Sequence, residues 1–402
     1  MNLLVKDKCF YKKMAVIAIP ISMQSMITIG VNMTDTVMVG KLGETSLSAT
    51  ALANQFVNIY QICCMGIAMG ASVLTSRFWG MQDITSLKKT ITLMLRLCIV
   101  LAVLFMLPTI LIPQLLMRMY TNDSAVIAQG VQYFKWMVYC YFLQGMTMTC
   151  TIVLRSVGQV NFPLFTSIGS FFVNILFNYM FIFGRLGVPR MEVEGAGVGT
   201  LIARVFEFSL ICGYFLFVDR KIGYRLKDLR MKCNSLIKDY VSISIPVFVS
   251  DSLLALGTSA VAMVMGRIGT GFVSANSITV VTQQLTTVII QGICHASCIM
   301  TGHTLGQGER EKAQQQAWTF LILGLVVGIL GGGLIKVLSR PIIGLYNITP
   351  ETAQIAGELM DAIAFSVIFQ SMNSILTKGV LRGGGNTKFL MLAFTESNFV
   401  WL

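Results

Sequence analysis

Charge is what this sequence has little of. Asp, Glu, Lys and Arg make up only 12% of its 402 residues, hydrophobic residues make up 55%, and the mean hydropathy is +0.73. A soluble domain does not carry such values. They exclude a secreted, fibrous or nucleic-acid-binding protein and leave a polytopic membrane protein, with membrane lipids as its surroundings and no nucleic acid as a partner. Acidic residues are scarcer still, 18 against 30 basic. In a soluble chain the formal net charge of +12 would suggest a polyanionic partner; here its placement reads mostly as topology. The segment from Met1 to Lys13 lacks the short apolar core and small-residue cleavage site of a signal peptide, so it is expected to be retained. The ten cysteines fall mostly inside apolar runs, where they act as small hydrophobes and form no disulfide framework.

What the chain does have is long apolar runs. At roughly 20 residues per spanning helix the length allows about ten to twelve spans. The runs lie near 14–39, 48–75, 91–116, 125–153, 162–183 and 195–218. After a basic break at 219–240 they resume near 241–266, 270–301, 316–338, 352–380 and 388–402. With the N-terminus in the cytoplasm, 20 Lys and Arg residues fall inside, seven of them between Arg220 and Lys238, and 7 fall outside. That asymmetry places the N-terminus and the 219–240 loop in the cytoplasm, and the protein in the cytoplasmic (inner) membrane.

The second half repeats the first. An offset of 226 carries Pro20 to Pro246, Gly40 to Gly266, Lys41 to Arg267, Gly66 to Gly292, Gly80 to Gly306 and Tyr120 to Tyr346. One residue later, Leu154-Arg155-x-x-Gly158 matches Leu381-Arg382-x-x-Gly385. Duplicated bundles about a central site are the plan of secondary transporters, and six spans in the first copy make the copies parallel. The expected architecture is all-α, with an N-terminal lobe at 1–218, a basic cytoplasmic linker at 219–240 and a C-terminal lobe at 241–402. Residues 162–218 would map to about 389–445, so about 43 residues have no counterpart. An incomplete chain is expected, with about 10 to 11 of 12 helices present; a native protein of ten spans and a stub is the alternative.

Asp35 and Asp251 stand inside apolar runs. A charge in mid-membrane costs roughly 2.5–3.5 kcal/mol by insertion scales, so such a carboxylate ordinarily faces a cavity and has a role. Asp35 is the only acid of the first span, suited to loading and releasing a proton unless water or a neighbour at the outer end of the span merely satisfies it. Asp251, on the seventh span, is a candidate for attracting a cationic substrate, or an acid satisfied by a partner. Pro20 offers a hinge or a static kink in the first span. Arg204 and Glu207, three apart, are expected to pair with each other as a structural ion pair. Gln24, Gln55, Asn58, Gln283 and Gln284 are candidate lining groups for a substrate, or ordinary interhelical partners.

Other chemistries lack their signatures. Cys294-His295-x-x-Cys298 offers only three ligands inside a span, so no metal is expected. The glycines at Gly195 to Gly199 and Gly383 to Gly385 follow no strand and sit in no phosphate-loop motif, which argues against an ATP-driven exporter. No convergent catalytic cluster suggests an enzyme. A lipid or lipid-linked oligosaccharide flippase, the competing reading, needs a row of basic residues to hold pyrophosphate, and only Lys135 and Arg204 are available.

Taken in order, Pro20 with Gln24 and Asp35, Gly40-Lys41-Leu42-Gly43, Leu154-Arg155-Ser156-Val157-Gly158, Gly195-Ala196-Gly197-Val198-Gly199-Thr200 and Leu381-Arg382-Gly383-Gly384-Gly385 resemble the MATE family, the multidrug and toxic compound extrusion transporters. The likeness covers essentially the whole chain. It implies a V-shaped pair of six-helix lobes, acting as a monomer, that exports amphipathic, often cationic organic compounds in exchange for H+ or Na+, with no other cofactor. It also implies that Asp35 is the cation site of the N-terminal lobe, with Asn174, Asn178 and Thr200 as polar partners. Asn174 and Asn178, four apart, share one helix face. Many relatives carry a second carboxylate at the position of Asn178; its absence favours H+ over Na+. One branch of the family has acids on the seventh and tenth helices. Here, near the expected turn of the tenth, there are only Gln370 and Asn373, which puts a sodium site of that type in doubt.

Overall fold

The computed structural model describes residues 4–185, 187–268, 270–344 and 349–392, with their side chains except at 254–256, 258–274 and 277. Among the described residues every regular element is helical. These are α1 (Lys8–Gly40), α2 (Glu44–Gly80), α3 (Ile84–Leu111), α4 (Pro113–Arg118), α5 (Ser124–Ser156), α6 (Asn161–Phe183), α7 (Glu192–Gly213), α8 (Asn234–Ile268), α9 (Thr270–Gly306), α10 (Arg310–Ile343) and α11 (Pro350–Ser374). A π-helical turn extends α7 over Tyr214–Val218 and another extends α11 over Ile375–Leu381; a 3-10 turn spans Leu226–Arg230.

Nine helices among the described residues are long and apolar enough to cross a membrane. The expected span at 241–266 falls in α8, where many side chains lie outside the described set, and most of 388–402 lies outside it too. The third span differs from expectation. It begins at Ile84 and ends at Leu111, because Ile112 leaves the helical region (φ −135°, ψ 45°) and Pro113 starts the separate helix α4. Proline has no N–H to continue a helix but fits its first turn.

Contacts group the chain into two compact units. The first comprises Met1–Met26, Ser76–Asp83 and Ile245–Leu402, the second Ile27–Thr75 and Ile84–Ser244. They partition the chain differently from the sequence repeats, dividing α1, α2 and α8 between them.

In the second unit α3 shows how a span is two-faced. Leu87, Ile91, Met94, Cys98 and Ala102 are buried, whereas Val100, Leu104, Leu107 and Leu111 are exposed, as residues facing lipid are. The core gathers Tyr60, Phe134 and Tyr141 from α2 and α5. Tyr60 and Tyr141 meet edge to face at 4.9 Å, and the Tyr60 hydroxyl donates to the Tyr141 carbonyl, which answers the polar tip of a buried ring.

The basic linker is fastened to this unit. Lys88 Nζ donates to the Gly223 carbonyl (2.6 Å) and to Asp228 Oδ2 (2.9 Å), Thr92 Oγ1 donates to the Asp228 carbonyl (3.0 Å), and Arg96 Nη2 donates to the carbonyls of Leu229 and Met231. Tyr224 stacks on Phe215, with its hydroxyl 2.9 Å from Thr92 Oγ1, and burial pushes its phenol up to about 12. Burial also pushes the Asp228 carboxyl up, but the bonds from Lys88 and from the Arg225 N–H outweigh it and hold the group below its ordinary value.

In the first unit, helix approach is set by small residues. Gly324, Gly328 and Gly332 repeat every four residues along α10, and a Cβ on Gly328 or Gly332 would run into the backbone of Ile368 or Ala364 on α11. This close backbone contact is the packing that membrane helices use where lipid supplies no hydrophobic drive. The duplication is visible as well: a Cβ on Gly80 would strike the His303 carbonyl, and one on its repeat-mate Gly306 would strike the carbonyl of Arg77, the repeat-mate of His303.

Candidate functional site

Asp35 lies two turns from the end of α1, half-buried, on the part of that helix belonging to the second unit. It meets α6. Asn178 Nδ2 donates one proton to Asp35 Oδ1 at 2.7 Å and the other to Asn174 Oδ1 at 3.3 Å, so both amide hydrogens are used in one line from Asp35 through Asn178 to Asn174. Asn174 and Asn178 are 3% and 1% exposed, and their spacing of four puts both on the α1 side of α6. Asn178 Oδ1 is buried without a hydrogen-bond partner among the described residues, resting against the Cα of Gly199 on α7. Glycine is needed there because any side chain would displace the amide.

Thr200, next along α7, is half-buried and makes no hydrogen bond to this group among the described residues. One turn further on, Arg204 Nη1 donates to Glu207 Oε2 at 2.8 Å, the pairing their spacing suggests. Sequence reasoning missed Tyr133 of α5 in the same unit, which is 5% exposed and donates to Asn54 Oδ1 at 3.2 Å. A tyrosine inside an apolar run was a usable signal, since a buried hydroxyl needs an acceptor. The Cys150 and Cys212 sulfurs approach to 3.7 Å in the same unit, and all ten cysteines are free thiols.

The acid of the first unit is differently placed. Asp251 Oδ1 accepts from Arg382 Nη2 at 2.9 Å, with Arg382 3% exposed and Asp251 20%. Its charge is answered within the protein, so it does not stand as a lone carboxylate for a cationic substrate, and Arg382, counted by sequence among the cytoplasmic charges, is buried instead. Gln283 Nε2 donates to Gln370 Oε1 at 2.9 Å, while Gln284 is exposed. Gln24 is buried and engaged, and Pro20 lies inside a continuous α1. Gln55 and Asn58 are exposed one turn apart on α2 in the second unit. Lys135 is 5.6 Å from the Trp136 ring. Cys294 Sγ donates to the Ser374 carbonyl at 3.3 Å, and among the described residues no three potential ligands are grouped to hold a metal.

Comparison with known proteins agrees over the full length. The MatE family model matches residues 20–180 and 246–400. A probable multidrug resistance protein NorM of Agrobacterium fabrum is 24% identical over 389 residues, covering 93% of this chain and 81% of that protein, and its counterpart in Thermotoga maritima is 23% identical over 382 residues, covering 94% and 80%. Among solved structures, a mutant of the Vibrio cholerae MATE transporter VcmN aligns with a TM-score of 0.89 at 16% identity, covering 98% of this chain and 88% of that one. A MOP superfamily transporter from Pyrococcus furiosus aligns at 0.84 and 19%, covering 95% and 84%.

Proposed function

The chain belongs to the MATE family of membrane transporters and is not an enzyme, and from that premise we propose that it is an antiporter exporting organic cations and amphipathic compounds in exchange for H+. The relatives named as multidrug resistance proteins support drug export as the activity. The observation that carries the coupling is the single carboxylate of Asp35 held by Asn178, with no second acid bonded beside it among the described residues. A proton needs one such group. Sodium needs several oxygens, and neutral amides with one carboxylate are a weak set for it.

The cycle follows from the hydrogen bonds. With Asp35 ionised, the Asn178 amide donates to a charged acceptor, the strong kind of bond, and α1 is held to α6. A proton arriving from outside cancels that charge, and the bond weakens to one between neutral groups. The hold on α1 loosens, α1 and its neighbours repack, and substrate is released outward. Pro20 gives α1 a place to bend. Arg204 is committed to Glu207, which leaves little for the pyrophosphate of a lipid-linked substrate and disfavours the flippase reading. We take the protein to act as a monomer in the cytoplasmic membrane, N-terminus inside, with no cofactor beyond the coupling ion.

The test is uptake of a fluorescent organic cation into inverted vesicles under an imposed pH or sodium gradient, for the chain and for Asp35→Asn. Uptake driven by the pH gradient and lost in the variant is expected. Uptake driven only by sodium, or an Asp35→Asn variant as fast as the parent, would refute the proposal.

A further inference from the structure

The middle of the first unit carries an uncharged polar face. On α11, Ser366, Gln370 and Asn373 follow at i, i+4 and i+7, so they lie on one side of the helix, and all three are exposed. On α9, Gln284 and Gln291 are exposed seven residues apart, and half-buried Gln283 adjoins them. The two helices pack on each other, and the Gln283–Gln370 bond of 2.9 Å joins the two sets. Both sets lie inside helices able to cross a membrane, Ile278–Gly306 and Pro350–Leu381, with Gln291 and Ser366 near the middles of the two.

Exposed amides at that depth do not face lipid tails, which offer them no hydrogen bond; they face a water-filled path. Ser366 Oγ donates to the Ala362 carbonyl, but the amides of Gln284, Gln291 and Asn373 bond to no protein group among the described residues. Their donors and acceptors are therefore open to something in that path. No Asp, Glu, Lys or Arg occurs in α9 from Ile278 to Gly306, nor between Ala362 and Thr377. The nearby acid, Asp251, is closed off by Arg382.

We propose that this face is the substrate-recognition surface of the first unit, and that it selects hydroxyl, carbonyl and amide groups on the transported compound while contributing nothing to recognition of its charge. The proposal rests on the export reading and specifies its substrates: amphipathic compounds rich in neutral hydrogen-bonding groups are preferred to bare lipophilic cations. A glutamine amide supplies both a donor and an acceptor, so a row of them suits varied polar patterns.

The experiment compares two cations by equilibrium titration of the detergent-purified full chain. Doxorubicin carries several hydroxyl and carbonyl groups; tetraphenylphosphonium carries none. The Gln283→Leu/Gln370→Leu pair removes the joined amides, and Asn373→Leu, whose amide has no bond to lose among the described residues, guards against a folding defect; monodisperse elution is required of each. The ratio of doxorubicin to tetraphenylphosphonium affinity is expected to fall about tenfold in the double variant and about threefold in Asn373→Leu. An unchanged ratio in both variants, or no doxorubicin binding by the parent chain, overturns the proposal. Transport separates it from the export reading: a shifted binding ratio with neither compound moved by a pH or sodium gradient sinks export and leaves the surface standing.

Discussion

Asp35 in the second unit and Asp251 in the first are both carboxylates inside apolar helices, yet their partners differ in kind. Asp35 is held by a neutral amide at 2.7 Å, Asp251 by a guanidinium at 2.9 Å that is itself buried. An amide lets the acid change its charge, because the bond only weakens when the proton arrives. A buried arginine instead depends on the carboxylate as its counterion, and losing that partner leaves a charge stranded inside the protein. The same residue type is thus a switch in one place and a brace in the other, and the partner decides which.

The largest effect expected is on the brace. Asp251→Leu leaves a guanidinium buried without a counterion, which costs about 3–5 kcal/mol, while Arg382→Met leaves an acid with some access to solvent and costs less. The pair Asp251→Leu/Arg382→Met should recover most of the loss. Thermal unfolding of the four proteins in detergent measures this, and an Asp251→Leu variant as stable as its parent but inactive in transport would make Asp251 a second switch and erase the contrast.

At the switch, Asp35→Asn is expected to lower pH-driven uptake at least about a hundredfold, equivalent to about 2.7 kcal/mol, with little change in thermal stability, since an amide can still bond to Asn178. Equal losses of stability and transport would recast Asp35 as another brace. Asn178→Asp sharpens the comparison from the other side. A second carboxylate supplies the oxygens that a cation needs, so sodium-driven uptake is expected to rise severalfold and pH-driven uptake to fall.

The helices were largely legible in the sequence, because a spanning run is a local property: 48–75 lies inside α2 and 125–153 inside α5. The contact of Asp35 with Asn174 and Asn178 was half legible. Their spacing of four gave the shared face, but that it turned toward Asp35 came only from likeness to a family. The brace was not legible, since Asp251 and Arg382 stand 131 residues apart and nothing in either neighbourhood names the other. Arg382 counted plausibly among the cytoplasmic charges. The linker's anchoring was no more legible, for its basic residues spoke only to topology while Asp228, the acid among them, carries the contact to Lys88.

That acid provides the smallest and most specific test. Asp228 accepts from Lys88 at 2.9 Å with both side chains 22% exposed, outside the spanning segments, so it is a brace like Asp251 but one that water can reach. Its carboxyl sits below its ordinary value, because the bonds from Lys88 and Arg225 outweigh the effect of burial. A depressed folded-state value means that the unfolded chain binds the proton more readily. The contribution to stability is therefore complete above the unfolded value, near 4, and is lost as the pH falls through the lower folded value. A half-wet ion pair is worth about 1 kcal/mol or less. Asp228→Asn should consequently lower the unfolding temperature slightly at pH 7, and the difference from the parent chain should shrink toward zero as the pH is taken below 4. A difference that stays constant from pH 7 to below 4 would mean that Asp228 acts through its shape and not through its charge.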